Sequence, residues 1–352
     1  MYITGLGTAV PPRRYTQAEC WERARALEQF QRLSPRARAI VKKVLLGNNG
    51  IEARHLSLES IAEVFAIDPD TLHTRFAKNA PLLAAQAAQR ALAQSKASAS
   101  QIDAVIVSTC TGYLCPGLTS YLAESLGLPL NVCALDLVGQ GCGAALPNLR
   151  TGEALLASAR AQRVLSVSVE VCSAAFYLDD DPGVLISACL FADAAGAAVL
   201  SHEPQSDTRR IEWLAVDSIL DPSARDLLRF ETTNGMLRNI LTPPVPALAA
   251  KYAARLFHQM AGQCGIKHKD ISAWIFHAGG RDVLSALQHE LAFKDSDLSW
   301  SAAVLRQLGN VSSPFVFHVL ERALQGGAPG GLWWMSSFGA GFSCHGALLK
   351  VD

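Results

Sequence analysis

The sequence predicts an α/β fold built from two copies of one unit. Strand-like and helix-like segments alternate from end to end. Short apolar strands recur at a nearly constant spacing. A polar, turn-rich stretch, Ser201-His202-Glu203-Pro204-Gln205-Ser206-Asp207-Thr208, separates the two sets. These observations place one half at residues 1–205 and the other at 210–352.

The repeat is legible strand by strand. Ile102-Asp103-Ala104-Val105-Ile106-Val107-Ser108 resembles Ile271-Ser272-Ala273-Trp274-Ile275-Phe276-His277, an offset of 169 from position 102 to 271. Each follows an Ala/Leu-rich helical segment, expected at 81–93 and 245–260. The Gly-Cys turn at 142 matches Gly309-Asn310-Val311-Ser312-Ser313, an offset of 168 from Cys142 to Asn310. Arg163-Val164-Leu165-Ser166 matches Gly331-Leu332-Trp333-Trp334 at the same offset. Gly196-Ala197-Ala198-Val199-Leu200 then matches Gly346-Ala347-Leu348-Leu349-Lys350 at an offset of only 150. The first half therefore carries an insertion of about 18 residues within 171–195. A pseudo-twofold relation would bring Cys142 and Asn310 to one pocket, with His277 at a strand end beside them.

Composition narrows the function classes. The chain has 352 residues, half of them hydrophobic, with Lys+Arg 31 against Asp+Glu 31. That length supports about two domains of ordinary size. No basic block suggests nucleic acid, and no acidic tail suggests disorder. Met1-Tyr2-Ile3-Thr4-Gly5-Leu6-Gly7 lacks the basic and apolar regions of a signal peptide and reads as a strand. No apolar stretch approaches the roughly 20 residues of a membrane span. The nine cysteines are scattered without a CxxC pair. This points to free thiols in a reducing, cytoplasmic setting and away from a zinc site.

Gly139-Gln140-Gly141-Cys142-Gly143-Ala144-Ala145 joins an apolar strand to a helix-like run. Free N–H groups and the positive helix end stabilise a thiolate in such a position, so a lowered pKa is expected. Taken singly, Cys142 reads as a structural thiol, His277 as a hydrogen-bonded core histidine and Asn310 as a helix N-cap. His277-Ala278-Gly279-Gly280 ends a strand in a turn that lets backbone approach a ligand.

Together, Gly141-Cys142, His277-Ala278-Gly279-Gly280, Gly309-Asn310-Val311-Ser312-Ser313 and Phe338-Gly339-Ala340-Gly341 resemble the chalcone synthase-like type III polyketide synthases, in the thiolase superfamily. Ser108-Thr109-Cys110-Thr111-Gly112, Cys115-Pro116-Gly117 and Leu190-Phe191-Ala192-Asp193 support the likeness, which runs the length of the chain. The resemblance implies a thiolase-like five-layer αβαβα fold with two pseudo-twofold-related halves. It implies that Cys142 is the acyl-accepting nucleophile, with His277 and Asn310 stabilising the enolate left when malonyl-CoA loses carbon dioxide. Phe191 would be the gate between a coenzyme A tunnel and the cavity. Cys110, Cys172, Ala175, Ser312, Gly339, Ala340 and Gly341 would contact substrate. The loop with Cys115 would reach the cavity of a second copy in a homodimer. The substrates would be an acyl-CoA starter and malonyl-CoA, with no further cofactor and no metal. Lys42 and Lys43 fall where coenzyme A phosphates would be held, and read equally well as solvated helix charges.

Departures from the plant members are local. Ala192, Ala194 and Ala340 replace residues usual there, and Cys115 stands at a methionine position. Small side chains at Cys110, Cys172 and Ala175 predict a roomier, less polar cavity suited to aliphatic starters. Cys344 reads as strand packing, and Cys133, Cys189 and Cys264 as buried filler. Three other readings share the fold. A β-ketoacyl carrier-protein synthase III would also hold a Cys/His/Asn set. A 3-hydroxy-3-methylglutaryl-CoA synthase would need a catalytic glutamate, and the surroundings of Glu170 do not match one. A non-catalytic partner subunit would be expected to have lost the nucleophile.

Overall fold

A nine-stranded sheet organises the chain in the computed structural model, which describes residues 1–205 and 209–352. Ser206, Asp207 and Thr208 of the expected junction lie outside the described residues. The strands in chain order are β1 (Tyr2–Ala9), β2 (Arg14–Thr16), β3 (Ala53–His55), β4 (Ala104–Ser108), β5 (Cys133–Leu137), β6 (Arg163–Glu170) and β7 (Ala194–Ser201). Then follow β8 (Ile211–Leu220), β9 (Leu228–Thr233), β10 (Met236–Leu241), β11 (Ile271–Phe276), β12 (Gly331–Gly339) and β13 (Ser343–Val351). The sheet order is β11-β12-β13-β8-β1-β7-β6-β4-β5.

This sheet is two sub-sheets joined at one corner, because β1 and β8 pair only at Tyr2–Glu212 and Ile3–Ile211. Each half repeats one pattern. β4 and β6 are parallel, β6 and β7 antiparallel, β7 and β1 antiparallel. β11 and β12 are parallel, β12 and β13 antiparallel, β13 and β8 antiparallel. The registers correspond as well: Val105 lies opposite Leu165 where Trp274 lies opposite Trp334, both offset by 169. The third sequence match therefore moves by one residue from the expected 168. Among the described residues β5 has no counterpart strand beside β11.

Helices cover the sub-sheets in five layers. Pro69–Ser95 packs on β1, β7 and β6 outside the first, and Val245–Cys264 on β13 and β8 outside the second. Between them, Ala145–Ala157 touches β4 and β6 on one side and β12 and β13 on the other. Phe315–Gln325 bridges β1 and β7 to β11 and β12. Burial of both faces explains why these strands are apolar throughout rather than alternating.

The first outer helix begins at Pro69, not near the expected residue 81. Asp68 caps it by accepting the Thr71 N–H at 2.9 Å. Pro81 sits inside it and denies Ala77 its hydrogen bond without ending the helix. Two elements depart from the repeat. The helix Pro182–Leu190 occupies the predicted insertion. The hairpin β9–β10 turns through Asn234 and Gly235, both at positive φ, as a two-residue hairpin turn requires. The helix and β10 pack together over the junction of the halves. Among the described residues no helix is long and apolar enough to cross a membrane.

Candidate active site

Cys142 lies in the tight turn Gly141–Gly143 before the helix Ala145–Ala157. Gly141 has φ +57°, and a Cβ there would meet the Ala340 backbone nitrogen at 2.8 Å. Only glycine fits both conditions. Ser337 Oγ donates to the Gly143 carbonyl at 3.0 Å, and a Cβ on Gly143 would touch the Gly339 nitrogen at 3.0 Å. The Gly339-Ala340-Gly341 loop thus seats the Cys142 turn. Among the described residues, the cavity beyond Ser312 is lined by other segments.

Ser312 Oγ donates to Cys142 Sγ at 3.2 Å. The thiol does not have the lowered pKa expected at a helix start. Burial pushes it up to about 12, and the neighbouring Glu170 carboxylate adds to the shift against the Ser312 hydrogen bond.

His277 follows β11 and donates its backbone N–H to the Ser336 carbonyl at 2.9 Å, which fixes it to β12. Its ring is 3% exposed and packs on the edge of Phe315. Both ring nitrogens are buried, and among the described residues neither has a hydrogen-bond partner. Leaving such groups unmatched costs about 1–3 kcal/mol each. A side chain held at that cost is suited to a ligand. Burial pushes its pKa down to about 3, so the resting imidazole is neutral.

Asn310 is oriented on both sides. Its Oδ1 accepts the Ser312 N–H at 2.9 Å, and its Nδ2 donates to the Gly279 carbonyl at 3.1 Å. A Cβ on Gly279 would lie 3.8 Å from His277 Cε1 and 3.9 Å from Asn310 Nδ2. The imidazole and the amide therefore flank one small space, and the second Nδ2 proton has no acceptor among the described residues. Ser312 links Cys142 to Asn310, and Gly279 lies between Asn310 and His277.

Glu170 organises the floor of this region, a role its sequence setting did not reveal. Its carboxylate accepts from Thr109 Oγ1 at 3.2 Å, Cys110 N at 3.0 Å, Cys110 Sγ at 3.3 Å, Thr111 Oγ1 at 2.9 Å and Ser313 Oγ at 2.6 Å. Burial raises its pKa and these donors oppose the rise. The donors come from segments about 60 and 142 positions away, so no local pattern marks the residue.

A cavity lies beyond Ser312. Of the predicted contacts, Cys172, Ala175, Phe191 and Ser312 line it. Cys110 faces Glu170 and Ser312 instead. Thr111, Phe176, Val184, Ser187, Phe230 and Asn239 complete the lining. The last two come from the hairpin, which the Asn-Gly turn signal could have revealed. The free space is about 20 Å³, room for one or two water molecules. Its apolar character is as expected.

Cys115 is exposed, in a loop whose bond to Pro116 is cis. Lys42 and Lys43 are exposed on the helix Pro35–Leu46, which packs beside Pro182–Leu190. Cys189 and Cys344 are buried as expected, whereas Cys133 and Cys264 are exposed. Cys133 lies on the open edge strand β5, and Cys264 ends its helix facing solvent.

The buried histidines have a measurable consequence. His318 and His345 are pushed down to about 4 by burial, beside about 3 for His277. The unfolded chain takes up these protons near 6.5, so it binds more protons than the native state between those values. Native stability is therefore expected to fall as pH drops from about 6.5 toward 4, by up to about 1.4 kcal/mol per unit for each histidine. The thermal midpoint at pH 5 should lie about 5 °C or more below that at pH 7.5. A flat profile would contradict the buried neutral rings.

Comparison with known proteins bears on the whole chain. A family described as FAE1/Type III polyketide synthase-like protein matches residues 12–216. The chalcone and stilbene synthase C-terminal domain matches 214–350. A 3,5-dihydroxyphenylacetyl-CoA synthase of Streptomyces toyocaensis is 28% identical, covering 99% of this chain and 89% of its own. A phloroglucinol synthase of Pseudomonas fluorescens is 29% identical, covering 88% and 89%. The solved 1,3,6,8-tetrahydroxynaphthalene synthase of Streptomyces coelicolor superimposes with a TM-score of 0.88 at 24% identity, over 100% of this chain and 99% of that one.

Proposed function

Because the chain belongs to the type III polyketide synthases, acyltransferases that form carbon–carbon bonds from coenzyme A thioesters, we propose that it loads a short acyl starter on Cys142 and extends it with malonyl-CoA. The observation that carries the assignment of roles is the unpartnered His277 ring beside the Asn310 amide.

Cys142 gives its proton to His277 as the sulfur attacks the thioester carbonyl, and coenzyme A leaves as the thiol when that proton is returned. Neutral Cys142 and neutral His277 suit this order, since an imidazolium beside a thiolate offsets the two desolvation penalties together. Malonyl-CoA then loses carbon dioxide. The electron pair becomes an enolate whose oxygen accepts from His277 Nε2–H and Asn310 Nδ2–H. The enolate carbon attacks the Cys142 thioester, the sulfur leaves as a thiolate that takes up a proton from water, and the chain, now on coenzyme A, has grown by one ketide unit. Repetition and ring closure give a pyrone, resorcinol or related product.

The narrow apolar cavity favours short starters over long or aromatic ones. Labelled malonyl-CoA with a panel of acyl-CoAs, read by product mass, tests this. Activity from malonyl-CoA and short acyl-CoAs is expected. A strict requirement for malonyl carrier protein, or preference for a bulky aromatic starter, would overturn it. No cofactor beyond the thioesters is needed for these steps.

The halves are divided at 205 and 210. A homodimer through β5 is supported by that strand's exposure at an open sheet edge, with Leu130, Val138 and Tyr113 exposed nearby. Sedimentation should find two chains; a monomer would refute it. A cytoplasmic location fits nine unpaired cysteines and is checked by cell fractionation.

A further inference from the structure

Arg54 is a buried cation that the mechanism above does not use. It sits on β3, 3% exposed, and among the described residues no carboxylate pairs with it. Its Nη1 donates to the carbonyls of Ala188 at 2.6 Å and Phe191 at 2.8 Å, and its Nε to Gln17 Oε1 at 3.0 Å. Its Nη2 approaches Cys20 Sγ at 3.7 Å.

These contacts close the end of the helix Pro182–Leu190. The final carbonyls of a helix have no partner within it. Here Arg54 takes Ala188, the Gln17 amide takes Cys189 at 2.8 Å, and the Asn310 backbone N–H takes Leu190 at 3.0 Å. The Ala192 N–H returns to the Asn310 carbonyl at 2.9 Å, so Phe191 and Asn310 form one bridge. The cation also meets the negative end of the helix dipole, which stands in for the missing carboxylate. Gly309 has φ +74°, and a Cβ there would strike Arg54 Cγ at 2.8 Å. Arg54 therefore touches the main chain on both sides of the Phe191–Asn310 bridge.

We propose that Arg54 is a positioning residue that holds the cavity-lining Phe191 and the Asn310 amide in register across the two halves. It acts on extension and not on loading, because none of its contacts reaches Cys142. This rests on the assignment of Asn310 to the enolate step.

The test compares wild type, Arg54→Met and Arg54→Lys in two assays: acyl loading on Cys142 by intact mass, and decarboxylation of malonyl-CoA. Arg54→Met is expected to load starter within about twofold of wild type and to lose about tenfold or more in decarboxylation, in kcat rather than KM. Arg54→Lys keeps the charge at the helix end and should recover most of that loss. Equal losses in both assays, or no loss in either, would overturn the proposal. If Arg54→Met does not fold by circular dichroism, Arg54→Lys decides alone: its decarboxylation must fall more than its loading. Wild type that fails to decarboxylate malonyl-CoA would sink the enolate assignment itself, an outcome separate from equal losses in an active wild type.

Discussion

Replacing Cys142 with alanine is expected to end product formation while leaving malonyl-CoA decarboxylation measurable. Removing a covalent nucleophile costs on the order of 10⁴-fold or more in turnover, about 5 kcal/mol or more of transition-state stabilisation. Decarboxylation survives because the enolate donors are held by other segments. His277 is fixed by Ser336, and Asn310 by Gly279 and Ser312. Ser312 loses only its acceptor on Cys142 and keeps Glu170 within 3.5 Å. Product mass and released carbon dioxide, followed in one reaction, separate the steps. A variant that still makes a tenth of the product would exclude Cys142 as the acyl carrier. Peptide mapping then guards against the neighbouring thiol: the starter adduct belongs on the Cys142 peptide, not on that of Cys110.

Asn310→Ala should show the converse pattern. Loading of Cys142 is retained within about threefold, and decarboxylation falls by about 10²–10³, the usual loss for one preorganised donor to an oxyanion. His277→Ala should lower both steps, since the ring takes the thiol proton and donates to the enolate oxygen. The resting ring titrates far below neutrality, so wild-type decarboxylation should show no histidine step near pH 6.5. An Asn310→Ala enzyme that decarboxylates at the wild-type rate would remove the amide from the mechanism.

The paired strands were legible because each half repeats its apolar registers, and turn glycines marked the segments that carry Cys142, His277 and Asn310. What escaped was set by long-range contact or by surface. Glu170 reads as an acid at a strand end, and only the fold brings Thr109, Thr111 and Ser313 to it. The hairpin residues Phe230 and Asn239 have little alternation around them, so the Asn-Gly turn was their one local sign. Cys133 was expected inside because its strand is apolar, but apolarity cannot distinguish a core strand from an open edge. The helix-start setting of Cys142 suggested an acidic thiol, and desolvation outweighed it.

The seating of the Cys142 turn by Ser337 and Gly339 also bears on the order of synthesis. The Ser337–Gly143 hydrogen bond spans 194 positions. A nascent chain that has emerged only through its first half holds the Cys142 sequence but not the loop against which that turn is shaped. Contacts of such separation form late in folding. The Cys142 turn therefore takes its final shape only once β12 and the loop after it have docked.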